Sequence, residues 1–132
     1  MPLPDRFLLP LAFAVSTALH APAQAQTHRA FPPTALRGEF VITQFPDALI
    51  NGHVAKLAPG VRLFGDNGLM QSPASFTGQK AVIHYVIEPS SGLVQTIWIL
   101  NPAELANKVW PRTPQEAAKL QFDVASQTWH KP

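Results

Sequence analysis

The chain has no cysteine in its 132 residues. That excludes a disulfide framework, thiol catalysis and cysteine-ligated zinc. Charge is also sparse: 14% of residues are Asp, Glu, Lys or Arg, and the formal net charge is +2. So even a balance supplies no basic field of the strength that nucleic-acid binding needs. Neither GxGxxG nor GxxxxGK occurs, and no serine sits in GxSxG. The sequence signals for dinucleotide, nucleoside-triphosphate and α/β-hydrolase chemistry are therefore missing. The acidic residues stand singly, without the convergence that a two-carboxylate hydrolase requires.

What is present begins with MPLPDRFLLPLAFAVSTALHAPAQAQ. Arg6 opens it, an apolar run extends from Phe7 to Leu19, and Ala23-Gln24-Ala25 ends it with small residues. This is the layout of a secretory signal peptide, with cleavage expected between Ala25 and Gln26. Ala21-Pro22-Ala23 is the alternative site. As a helix the run would be roughly 20 Å long, short of the ~30 Å hydrocarbon core. Pro10 interrupts it, and no cationic stop-transfer flank follows. No later segment is long and apolar enough to span a bilayer. Export to the periplasm as a soluble chain is the expectation. Cleavage removes only Asp5 and Arg6 among the charged residues, so the net charge stays at +2.

The remainder divides into a flexible leader over 26–35, a β domain over 36–110 and a helical tail over 111–132. RGEFVITQF (37–45) is rich in β-branched and aromatic residues and is closed by Pro46. Asn51-Gly52 separates two short apolar runs, the signature of a type I′ hairpin turn. Ala58-Pro59-Gly60 predicts a type II turn, and Gly65-Asp66-Asn67-Gly68 a third reversal. LMQSPASFTGQK (69–80) predicts one or two short edge segments. KAVIHYVIE (80–88) and GLVQTIWIL (92–100) are the clearest strands, joined by Pro89-Ser90-Ser91-Gly92. Both are apolar on both faces, so both faces should be covered. A small closed barrel with a helical or aromatic lid outside it would do this. Asn101-Pro102-Ala103-Glu104 and Thr113-Pro114-Gln115-Glu116 predict two helix starts. The second helix should run to about Gln127, with a frayed end beyond it. The predicted fold is an all-β barrel of five or six strands, OB-like or SH3-like, with one or two short C-terminal helices.

The candidate ligand-binding residues are His53, Lys56, Arg62 and His84. The glycines between Asn51 and Gly68 are explained by turns, since strand-like runs rather than helices follow them. If His53, Lys56 and Arg62 share a face, they would suit an anionic partner. His84, flanked by apolar residues in its strand, reads first as a buried, satisfied histidine and second as a metal or proton-transfer group. No two histidines stand at a ligand spacing. No catalytic residue, metal site or cofactor is expected.

ALRG (35–38), LING (49–52), KLAPGVRLF (56–64), FTGQKAVIHYVIEPSSGLVQTIWIL (76–100) and NPAELA (101–106) together resemble a group of small exported proteobacterial proteins of uncharacterised role. The resemblance covers about Phe31 to Trp110 and is most specific in the GQ-xVxxY-xx-GxVxxxWIL hairpin. It implies export and no catalytic residue. The expected function is a non-enzymatic binding or accessory module of the cell envelope, with an envelope protein or small ligand as partner and no nucleic acid. A small-ligand or metal-binding protein is the alternative, and an envelope-polymer hydrolase a further one.

Overall fold

The computed structural model describes residues 29–132. The expected signal segment and its Ala25–Gln26 junction lie outside the described residues. Among those that are described, no helix is long and apolar enough to cross a membrane.

Six strands form one sheet: β1 (Leu36–Gln44), β2 (Asp47–Ile50), β3 (His53–Phe64), β4 (Met70–Gln71), β5 (Ala81–Ile87) and β6 (Val94–Ile99). Their order is β2-β1-β5-β6-β3-β4, and β2 also pairs with β3, which closes a five-stranded barrel. All neighbours round the ring are antiparallel except β3 and β6, which run parallel. That crossing makes the barrel a five-stranded Greek key, the OB-like one of the two expected forms. A short 3₁₀ turn (Pro73–Phe76) and β4 occupy the stretch predicted to hold edge segments.

Local turn chemistry sets the first hairpin. Asn51 and Gly52 both have positive φ, 53° and 78°, as a type I′ turn requires. Gly38 serves by its missing side chain: a Cβ there would lie 2.8 Å from Cγ2 of Ile50 and 3.0 Å from Nδ2 of Asn51. We expect Gly38→Ala to force the hairpin stem outward and to cost about 1–3 kcal/mol in urea unfolding. An unchanged midpoint would show that the stem yields freely.

Ala58-Pro59-Gly60 is not a turn. β3 runs straight through it, and Gly60 is not among the positive-φ glycines. The register jumps there instead: Leu57 faces Val94 and Arg62 faces Thr96, so β3 spends more residues than β6 over the same span. β3 changes partner from β2 to β6 at this point. A bulged strand bends, as a small barrel demands, and proline is tolerated where the ladder is broken.

The two faces of β5 explain its double apolar pattern. Ile83 and Tyr85 enter the barrel core with Phe40, Ile42, Leu57, Leu63 and Ile97. Val82 and Val86 face outward into a second core with Phe31, Leu100, Trp110 and Trp129. An aromatic lid thus covers the outside of the barrel, as the sequence demanded.

The lid is built from both ends of the described chain. α1 (Pro102–Ala106) starts with a complete capping box between Asn101 and Glu104. α2 (Pro114–Ala118) is capped by Thr113, but the Glu116 carboxylate accepts from the Arg112 N–H rather than closing the box. α2 does not extend to Gln127. The chain turns back as a hairpin of β7 (Gln121–Asp123) and β8 (Thr128–His130), with Gln127 at φ 56°. Phe122 and Trp129 pair across it, and Trp129 is buried against Trp110 rather than frayed. A helix would have set Phe122 and Trp129 two turns, about 10 Å, apart along one face, whereas the hairpin brings their rings to 4.9 Å and packs both into the lid core. The described part of the leader is likewise docked, with Phe31 5% exposed.

Candidate functional site

Among the places where polar and charged side chains gather around apolar walls, two hold sequence candidates. One is an open groove at a mouth of the barrel, and the other is a buried cluster under the lid.

The groove, about 540 Å³ in volume, lies where β1, β3 and β6 begin and β2 and β5 end. Asn51 and the start of β3 form one wall and the Ser91–Leu93 loop another. The segment Arg112–Gln115, brought in by the start of α2, closes a third. Its floor includes Leu36, Val94 and the buried Tyr85. Burial raises the pKa of the Tyr85 phenol, so the group stays a neutral donor. Its hydroxyl bonds to no described residue. His53, Lys56 and Arg112 line the groove, and none of its lining residues is Asp or Glu. Lys56 meets Asp47 across the strands at 4.0 Å, with both side chains exposed, so the pair is weak and Lys56 stays available. Arg112 is steadied by a hydrogen bond from Nη1 to Oδ1 of Asn51 at 3.3 Å.

The Ser91 wall is itself held by a carboxylate. Glu88 accepts from the N–H groups of Ser90 and Ser91 and from the Ser90 hydroxyl. Hydrogen bonds from these two serines hold its pKa down at about 2. Glu88 therefore stays ionised over ordinary pH and braces the loop.

The sequence candidates divide between locations. His53 and Lys56 come together in the groove. Arg62 is exposed farther along β3, opposite Thr96, and does not line it. The expected face shared by His53, Lys56 and Arg62 is therefore incomplete, because the bulge at 58–61 separates Arg62 from the other two. Arg112 takes the third place, and its sequence position in the tail gave no sign of this.

His84 belongs to the second cluster and is 1% exposed. Its ring stacks on Trp110 at 4.0 Å between centroids, with Phe31 edge-on at 4.4 Å. Nε2 accepts a hydrogen bond from Nε of Arg37 at 3.1 Å, which leaves the ring proton on Nδ1. Nδ1 is buried with no partner among the described residues, as is Nε1 of Trp129. Burial, then the Arg37 and Arg29 charges, push the His84 pKa down to about 2. The ring is a neutral acceptor at any ordinary pH and is unsuited to proton transfer near neutrality. It is buried as the first reading expected, but only half satisfied.

Around it, Arg29 grips Glu104 through Nε at 2.9 Å and Nη2 at 2.6 Å, and also bonds the carbonyls of Gly65 and Ile99. Arg37 bonds the carbonyls of Asn107 and Glu104 and lies 5.8 Å from the centroid of Trp110. Sequence reasoning gave Glu104 a capping role and missed its pairing with Arg29. It placed Arg37 only at the head of the RGEFVITQF strand. Only the strand register, which sets Arg37 opposite His84, brings the two together.

Among the described residues, no three His, Asp or Glu side chains gather as a metal site. No protein-family model, curated protein or solved structure matches the chain.

Proposed function

We propose that this is a small exported, non-enzymatic binding or accessory module of the cell envelope that takes an anionic segment of a partner into the barrel-mouth groove. The observation that carries this reading is the charge of the groove: His53, Lys56 and Arg112 line it without a single carboxylate. The signal-like N-terminus and the resemblance to small exported proteobacterial proteins support the cellular setting. The groove is open at the surface, and its apolar floor offers burial while its cationic rim offers orientation. A two-carboxylate hydrolase finds neither its acid nor its base among the lining residues.

Photo-crosslinking in intact cells tests this. A benzophenone side chain in place of His53 should capture a discrete envelope component, while the same group in place of Arg62 should not. Lys56→Glu with Arg112→Glu should then weaken capture by about tenfold or more, since each reversal replaces attraction with repulsion. Equal adducts at positions 53 and 62 would remove the groove from consideration.

A small-ligand reading is favoured by one feature, the unengaged Tyr85 hydroxyl on the groove floor. The volume lies within the ~300–1,000 Å³ of small-molecule sites. In that case Tyr85→Phe should weaken binding while Lys56→Glu leaves it little changed, the reverse of the order expected for an anionic segment.

A further inference from the structure

The seam beneath the lid carries a feature that the barrel-mouth reading does not use. A crevice of about 130 Å³ opens between the Arg29–Phe31 segment, the end of α1 and the β7–β8 turn. Arg29, Arg37, Asn107, Trp110, Ser126 and Thr128 are among its walls.

The charges there do not balance. Two guanidinium groups face one carboxylate, Glu104, and both of its oxygens are already engaged. Oε1 accepts from Nη2 of Arg29 and from the N–H of Asn101, and Oε2 accepts from Nε of Arg29. Arg37, 5% exposed, reaches no carboxylate among the described residues. Its hydrogen bonds end on a neutral imidazole nitrogen and two backbone carbonyls. These use one hydrogen on each of its three nitrogens, so Nη1 and Nη2 each keep a second. A buried cation without a counter-charge is costly, and among the described residues one unit of positive charge remains uncompensated in the seam.

We propose that the crevice is a binding site for a small, singly charged carboxylate of about the size of acetate, which completes the charge balance at Arg37. The planar guanidinium fork matches carboxylate geometry. The hydroxyls of Ser126 and Thr128, now hydrogen-bonded to each other at 2.6 Å, supply further donors. Phe31 and Trp110 give the carbon end an apolar wall. The volume is well below the ~300 Å³ at which drug-sized pockets begin, which favours a ligand of few atoms.

Thermal unfolding of the full chain at pH 7.5 tests this, with sodium acetate exchanged for sodium chloride at fixed ionic strength. Acetate should raise Tm saturably in the wild type. Arg37→Gln should weaken the apparent affinity by about tenfold or more, the loss expected for a charged hydrogen-bond partner. Ser126→Asp, at an exposed turn position, places a carboxylate in the crevice. It should raise Tm without acetate and abolish the acetate response. Arg62→Gln, away from both sites, should respond as the wild type does. The proposal is overturned if Tm is indifferent to the exchange, or if Ser126→Asp responds to acetate as the wild type does. Should Arg37→Gln not fold, Ser126→Asp decides alone. None of these outcomes depends on the barrel-mouth groove.

Discussion

Lowering the pH from 7.5 to 5 should destabilise the protein by about 2 kcal/mol through His84 alone. The unfolded chain takes up a proton at this ring below its ordinary pKa of 6.5, whereas the folded chain does not until about pH 2. Folding stability from this group is therefore complete above pH 6.5 and falls steadily as the pH drops toward 2. Down to pH 5 the size of the loss depends on the unfolded value, because the folded ring remains neutral throughout. The groups facing the ring reinforce this. Arg37 donates to it, Arg29 adds a second positive charge, and Phe31 and Trp110 exclude water from it. The acid-sensitive carboxylate Glu88 contributes its own loss only at lower pH, between its ordinary value of 4.5 and about 2. His84→Gln retains an oxygen acceptor for Arg37 but cannot titrate. Its cost in stability should therefore be largest at pH 7.5 and about 2 kcal/mol smaller at pH 5, so that the slope between them flattens. Urea midpoints of the two proteins across that range provide the measurement. Parallel slopes would mean that His84 is protonated in the folded state and that the seam is wetter than its burial indicates.

Glu104→Ala should be the more damaging change, at about 3–5 kcal/mol. Glu104 is 4% exposed and does three jobs at once. It closes the capping box of α1 through the N–H of Asn101, it receives Arg29 on both oxygens, and it is the counter-charge nearest Arg37. Removing it strands the half-buried Arg29 guanidinium and takes away the negative charge acting on the buried Arg37. Domains of this size have about 5–15 kcal/mol in all, so the variant should be partly unfolded at 37 °C. Glu104→Gln keeps an acceptor for the cap and one for Arg29, and should lose roughly half as much. Circular dichroism and denaturant midpoints would separate the two variants. If Glu104→Gln proves as harmful as Glu104→Ala, charge rather than hydrogen bonding dominates at this position. If neither loses more than about 1 kcal/mol, the salt bridge is effectively solvated.

The parts of the fold legible in the sequence were those with a short-range cause. The Asn51-Gly52 turn, the caps at Asn101 and Thr113 and the two-faced strands β5 and β6 all depend on neighbours within a few residues. Proline misled at position 59, where it marks a bulge within β3 rather than a turn, because the partner change that bends β3 is invisible locally. The tail misled for a similar reason. Ala117, Leu120 and Phe122 do pack on the lid core, as a helical stripe would, but Val124 sits exposed in the β7–β8 turn. Tertiary packing of two aromatic rings outweighed a weak helical preference.

The candidate site was half legible. His53 and Lys56 lie next to the turn that frames the groove, so proximity in sequence carried them there. Arg112 reaches the same groove from far along the chain, and Arg37 meets His84 across a separation of 47 residues. Alternation along a strand fixes which face a side chain takes, but not which strand lies beside it.

The sequence by itself determined a cysteine-free β domain with a tight first hairpin and strands that must be covered on both faces. Only the tertiary structure decided that β3 closes the ring by running parallel to β6, and that the lid comes from both ends of the described chain. It alone brought Arg29, Arg37, His84 and Glu104 into one seam beneath the lid. Periodicity and turn preference are properties of the local backbone. Pairing register and charge balance are properties of surfaces that meet only when distant segments bury each other.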